Sequence, residues 1–137
     1  MDENKEPTDA PAASEVPMTR VVAMPGDGNP LGVVAGGWLI SRMDEAGGAA
    51  AYLRAKGPVA TVAIDAVTFP NPMMVGDMLS CYCDVERVGE TSMGIRITAW
   101  AHRRLKLGLM QKVCEGLFTF VAIDAKGNSR PVPPEEG

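Results

Sequence analysis

The stretch from Gly36 to Lys56, GGWLISRMDEAGGAAAYLRAK, is the one long helical pattern in a chain that otherwise reads as strands. Leu39, Met43, Ala46, Ala50 and Leu53 recur at spacings of three and four, which is one face of a helix. Gly57-Pro58 ends it, with the glycine expected at the C-terminal cap and the proline just beyond. Asp44 falls beside the apolar face, since Ile40, Gly48 and Ala51 are its neighbours along the helix. A carboxylate among small and apolar residues is costly to desolvate.

The rest of the chain has to supply the surface this helix packs on. Thr19–Met24 reads as a short strand, and PGDGNPLG at 25–32 is dense in turn formers. Four more strands follow, at Val59–Phe69, Met78–Val88, Ser92–His102 and Val113–Ile123. Leu79, Cys81, Cys83 and Val85 alternate on one face of the second of these. In the third, Met93, Ile95, Ile97, Ala99 and Ala101 point inward, and Arg96, Thr98 and His102 outward. The tight turn at Gly89-Glu90 joins the two as an antiparallel hairpin. Val59–Phe69 carries apolar side chains on both faces, as expected of a central strand covered on one side and paired with another subunit on the other. Residues 103–111 read as a loop or fraying strand end. One helix cannot cover five strands unless the sheet curls around it. The expected architecture is therefore α+β: the hotdog arrangement, a curved antiparallel five-stranded sheet wrapped on one central helix.

At 137 residues the chain is one domain with a substantial core. Residues 1–17 are rich in Pro, Ala and acids and show no periodicity, so they read as a disordered tail, with the domain spanning 18–137. Twelve of the 13 bases but only ten of the 17 acids lie within 18–134, so the folded part is slightly basic despite the net charge of −4. That balance does not suggest a nucleic-acid binder, though a local basic patch facing a small anion fits it. Cys81, Cys83 and Cys114 form no metal or redox motif and read as buried reduced thiols. No apolar run reaches membrane-spanning length and no signal-peptide pattern opens the chain, so the expected location is the cytoplasm.

Catalytic groups are sparse. There is one histidine, and no GxSxG, P-loop, HExxH or Rossmann fingerprint. Gly36-Gly37 opens a helix, where backbone N–H groups lack intrahelical partners and the dipole favours negative charge. Glycine admits a ligand close to the backbone, and a carbonyl oxygen there is stabilised as it becomes an oxyanion. The competing reading is that the two glycines only let the helix pass close to a sheet or another subunit. Asp44 suits a general base or a nucleophile toward an acyl carbon; otherwise it is a solvated helix acid, paired for instance with Arg42. Gly37 and Asp44 are roughly 10 Å apart along one helix at 1.5 Å per residue. To act together they must come from two helices packed antiparallel across a dimer, and the small-residue run Ala46–Ala51 permits that approach. His102 reads as an exposed strand histidine beside Arg103. Arg87, Arg103, Arg104, Lys106 and Lys112 gather near strand ends, either as solvated charges or to receive phosphates.

The pattern Asn29-x-x-Gly32-x-x-x-Gly36-Gly37-Trp38 followed by MDEAGG at 43–48 resembles the YciA-type acyl-CoA thioesterases of the hotdog superfamily. VAID at 62–65, Phe69-x-x-Pro72, VGD at 75–77, RVGxTS at 87–92 and FTFVAIDxxG at 118–127 extend the resemblance over about residues 18 to 134. It implies hydrolysis of acyl-CoA to free CoA and a carboxylic acid, with no cofactor, since CoA belongs to substrate and product, and with no metal. It places the catalytic aspartate on Asp44 and the oxyanion-binding helix start on Gly36-Gly37, with the thioester carbonyl at the Gly37 and Trp38 N–H groups. Asn29 falls in its substrate-binding motif, and its CoA-contacting turn is Arg87 to Ser92, including Gly89 and Thr91. It also implies hotdog dimers with shared sites, assembled as trimers of dimers. Val33 and Glu90 depart from the residues common in the family at these positions. A non-catalytic acyl-CoA binder with the same pocket competes with this reading, and a hydratase or dehydratase would want a histidine or acid pair at the site.

Overall fold

The computed structural model describes residue 11 and residues 15–135, so most of the expected acidic tail lies outside the described residues. The chain joins the sheet at Met18, whose N–H donates to the Cys81 carbonyl at 2.7 Å. The elements in order are β1 (Thr19–Val22), a short 3-10 turn (Pro25–Asp27), α1 (Gly36–Ala55), β2 (Val59–Thr68), β3 (Met78–Val88), β4 (Ser92–His102) and β5 (Met110–Ala122). The strands form one antiparallel sheet in the order β1-β3-β4-β5-β2. The hotdog expectation holds: α1 packs against β2, β3, β4 and β5 on one face of this sheet.

The core lies between α1 and that face. Leu39, Met43, Ala46 and Ala50 meet Leu79, Cys81, Ile95, Ile97, Phe118 and Phe120, all buried. Small residues on the helix set its distance from the sheet. A Cβ at Gly47 would sit 2.4 Å from Ile97 Cδ1 and 2.9 Å from the Phe120 ring, so only glycine allows this contact. The inward alternation expected for β4 is observed, since Met93, Ile95, Ile97, Ala99 and Ala101 are all fully buried.

Three local expectations are corrected. Leu53 is 67% exposed; the buried arc runs instead through Ala51 and Ala55, because the curved sheet meets the end of the helix from a different side. The left-handed cap falls on Lys56 (φ 57°), not on Gly57. A Cβ at Gly57 would lie 2.6 Å from the Arg130 guanidinium, the far end of a flexible side chain that can move aside. Among the described residues β2 is not central but an edge strand paired only with β5, and it leaves Val62 and Ile64 exposed. No helix among the described residues is long and apolar enough to cross a membrane.

Candidate active site

The loop ahead of α1 is built by Asn29. Its Oδ1 accepts from the Leu31 and Val33 N–H groups at 2.9 and 3.0 Å, and its own N–H donates to the Val33 carbonyl. The side-chain amide nitrogen keeps its donors. The loop then runs beside residues 72–77, with Val34 N–H donating to Met73 O and Val75 N–H to Gly32 O. This pairing delivers the chain into the helix at Ala35, which supplies no side-chain cap.

The first turn of α1 therefore has unspent donors. Trp38 N–H donates to Ala35 O at 3.1 Å. Among the described residues no acceptor engages the Gly36 and Gly37 N–H groups; Trp38, expected from the resemblance to share the carbonyl with Gly37, has its N–H on Ala35 O. The Phe69 ring covers Gly36, where a Cβ would meet it at 3.1 Å, whereas nothing lies within 4 Å of a Cβ at Gly37. A cavity of about 410 Å³ opens here, walled by Val34, Leu39, Phe69, Pro72 and Met73. An apolar pocket beside open N–H donors can hold an acyl chain with its carbonyl at the helix start.

Asp44 is half-buried, two turns further on. Its Oδ1 accepts from Thr61 Oγ1 at 2.6 Å, across from helix to strand β2. Arg42 is not its partner. The Arg42 guanidinium pairs with Glu45 at 2.9 Å and lies over the Trp38 ring. Thr61 was not singled out from the sequence, but a signal for it was there. Asp44 lies about 17 Å back from the helix end at 1.5 Å per residue. Thr61, six residues on in extended chain, returns by about 20 Å. Matched rises of this kind place a hydroxyl opposite the carboxylate.

The strand-end cations do not form one cluster. The Arg87–Ser92 turn sits beside the C-terminal end of α1: Thr91 O accepts from Ala122 N–H, and Ile123 N–H donates to Pro58 O. Arg87 there donates to Ser92 Oγ at 3.3 Å, and Gly89 N–H to Ser92 O. Arg103, Arg104 and Lys106 are at the opposite end, with the helix start. The 11-residue strands β3 and β4 separate the two groups by roughly 35 Å. Lys112 pairs with Glu115 at 2.7 Å and lies over Trp100.

Arg103 is tied into the fold. Its guanidinium donates to Asp77 Oδ2 at 2.7 Å, to Pro72 O at 2.6 Å and twice to Gln111 Oε1. Burial alone would raise the Asp77 carboxyl; the Arg104 and Met74 backbone N–H groups and the Arg103 charge outweigh it and hold it below the usual range. His102 is corrected from an exposed histidine to a half-buried one, with Nε2 2.8 Å from Ser80 Oγ. Arg20 Nε donates to the same oxygen at 3.1 Å. Burial, then the Arg20 charge, lowers the His102 pKa. The three cysteines are free thiols, and burial pushes Cys81 and Cys114 up to about 11 and Cys83 to about 12.

A family model described as the thioesterase superfamily matches residues 31–107. An uncharacterized acyl-CoA thioester hydrolase of Zymomonas mobilis is 45% identical over 132 residues, covering 96% of this chain and 86% of that protein. The acyl-CoA thioester hydrolase YciA of Escherichia coli is 40% identical over 118 residues, covering 85% of this chain and 89% of its own. Among solved structures, the hexameric thioesterase of Yersinia pestis superposes with a TM-score of 0.83 at 37% identity, over 89% of this chain and 98% of that one. A hexameric hotdog fold thioesterase of Campylobacter jejuni gives 0.83 at 34% identity, over 90% and 93%. With the fold, the helix start and the sequence in agreement, the chain belongs to the thioesterase superfamily, among its YciA-type hotdog members.

Proposed function

We propose that the chain hydrolyses acyl-CoA thioesters to free CoA and a carboxylic acid. The observation that carries this is the pairing of two features on α1: unspent N–H donors at Gly36 and Gly37, and a carboxylate, Asp44, held by Thr61 seven residues later. The thioester carbonyl accepts from the Gly36 and Gly37 N–H groups, which favour the oxyanion over the neutral carbonyl. Asp44 takes a proton from water as the water oxygen bonds to the carbonyl carbon. The tetrahedral intermediate then collapses, the C–S bond breaks, and the proton passes to the departing CoA sulfur. Direct attack by Asp44 through an anhydride is the other route the geometry permits. Asn29 adds its free amide as a further donor near the helix start.

Each site draws on two subunits in this reading. Gly37 and Asp44 of one helix are roughly 10 Å apart, and the Arg87–Ser92 turn is a full strand length from the helix start. Two helices packed antiparallel bring the helix start of one subunit to Asp44 and the 87–92 turn of the other. What supports the pairing is the exposed apolar pair Val62 and Ile64 on edge strand β2, together with the exposed Tyr52 and Leu53 on α1. A long apolar edge is a template for a second chain. The hexameric relatives support a trimer of such dimers.

A panel of acyl-CoA esters assayed for thiol release tests the reaction. The wild type releases CoA, and Asp44→Ala lowers the rate by at least about a hundredfold with fold and assembly intact. Tight binding of the esters with no thiol release would make this a non-catalytic binder.

A further inference from the structure

β2 does not end as a plain strand. Asp65 pairs with Leu117 and Thr68 with Glu115, so two residues, Ala66 and Val67, stand opposite the single Gly116. This is a β-bulge. Ala66 takes φ 55°, and apart from the helix cap Lys56 no other non-glycine residue among those described has a positive φ. An alanine held there is strained, and strain of this kind gathers at sites that use it. Gly116 gives the bulge its room: a Cβ there would sit 3.2 Å from Val67 Cγ2.

The bulge decides where Phe69 points. Plain alternation would put Asp65, Val67 and Phe69 on one face. The extra residue instead puts Asp65 and Thr68 together on the face away from α1, and turns Val67 onto the core and Phe69 onto the helix start. The chain is pinned again just beyond, where Asn71 Nδ2 donates to Lys112 O at 2.9 Å. The Phe69 ring then rests on Gly36, 3.1 Å from where a Cβ on that residue would be. Gly36 is one of the two N–H donors for the thioester carbonyl, so the ring stands beside the first carbon of the acyl chain. Val34, Leu39 and Met73, which wall the inner end of the helix-start cavity, are buried in the core, whereas Phe69 is 48% exposed at its mouth.

We propose that the Ala66 bulge and the Phe69 ring it aims are the acyl selector of this site: they admit straight chains and turn away acyl groups branched at the carbon next to the carbonyl. The inference rests on the thioesterase reading and names its substrate class. A straight chain has only hydrogens at that carbon and passes the ring edge into the cavity. A methyl branch there meets either the ring or the helix start. The ring cannot retreat along the strand, because the bulge and Asn71 fix the backbone on both sides of it. One methyl group in an apolar pocket discriminates by about ten- to two-hundredfold.

Butyryl-CoA and isobutyryl-CoA test this on the full chain, since they have the same atoms and differ only in the branch. The wild type is expected to prefer butyryl-CoA by at least about tenfold in kcat/KM, and Phe69→Ala to bring the ratio within about threefold. Ala66→Gly adopts a positive φ freely and keeps the wild-type ratio. Ala66→Val, β-branched, resists that conformation and lowers the ratio toward that of Phe69→Ala. Equal kcat/KM on the two esters in the wild type overturns the proposal. So does a Phe69→Ala loss by one common factor on both esters, which is what a purely structural role would give. A folded Ala66→Val with the wild-type ratio overturns the part given to the bulge; if circular dichroism shows that variant unfolded, Phe69→Ala decides. If the wild type releases thiol from neither ester, the thioesterase reading fails, and calorimetric dissociation constants for the two esters decide the selector. It stands if the wild type binds the straight ester at least about tenfold more tightly and Phe69→Ala does not, and falls otherwise.

Discussion

Thr61 is the residue that decides how Asp44 is presented. Its hydroxyl, 2.6 Å from Oδ1, holds the carboxylate and leaves Oδ2 for the proton transfer proposed above. A hydrogen bond to a charged group contributes about 1.5–3 kcal/mol. Thr61→Ala is therefore expected to lower kcat about ten- to a hundredfold with KM little moved, and Thr61→Ser to recover most of the loss. An unaltered kcat in the alanine variant would show that Asp44 needs no such support. His102 gives a pH prediction. Its folded pKa is below the usual value, so the unfolded chain takes up the proton first as pH falls. Its contribution to stability is complete above about pH 6.5 and is lost as pH drops through the lower folded value. Between pH 7.5 and 5 the wild type should lose more melting temperature than His102→Gln; equal losses would rule out protonation of the buried His102 as the cause. The sequence showed Asp44 and the two glycines because helical spacing is local. It did not show the Ser80–His102 or Thr61–Asp44 contacts, which join residues 22 and 17 positions apart on different elements.

At the scale of elements, the helix and strands were legible because periodicity and turn residues act over a few positions. The strand order β1-β3-β4-β5-β2 was not, since pairing of β2 with β5 depends on residues about sixty apart. Likewise, a leucine at the right helical spacing, Leu53, is exposed because the position of the sheet, and not the spacing, decides what is covered. The 103–109 loop shows how two adjacent arginines separate in role. Arg103 closes a buried pair with Asp77, their side chains 13% and 4% exposed, and also ties Gln111 and the Pro72 carbonyl. Arg103→Ala leaves the carboxylate buried without its cation and should cost about 3 kcal/mol. Arg104→Ala should stay within about 0.5 kcal/mol. Urea unfolding of the two variants side by side measures this, and similar midpoints would contradict the division of roles. On α1, Gly47→Val should cost about 1–3 kcal/mol by forcing the helix away from Ile97 and Phe120. A wild-type melting temperature would mean the core yields there.

The whole molecule is where the single chain falls short of a site. Gly37 and Asp44 are roughly 10 Å apart on one rigid helix, so no rotamer change brings both to one carbonyl carbon. In the proposed reading the missing half comes from a second copy, and complementation tests this directly. Asp44→Ala removes the carboxylate. Gly37→Val obstructs the open face of the helix start without an internal clash, since nothing lies within 4 Å of a Cβ there. Valine in the first turn costs under about 1 kcal/mol in helix propensity, so the fold should survive, as circular dichroism and sizing can establish first. Each homodimer then has both of its sites spoiled. A heterodimer has one site with both lesions and one in which an intact Gly37 faces an intact Asp44. Random exchange makes about half the dimers mixed, each with one good site of two, so activity should return to about a quarter of wild type. Mass spectrometry follows the exchange and thiol release follows the activity on the same samples. Exchange with no recovery would place Gly37 and Asp44 in one subunit's site, and the single-chain distance would then exclude Asp44 from the reacting carbon.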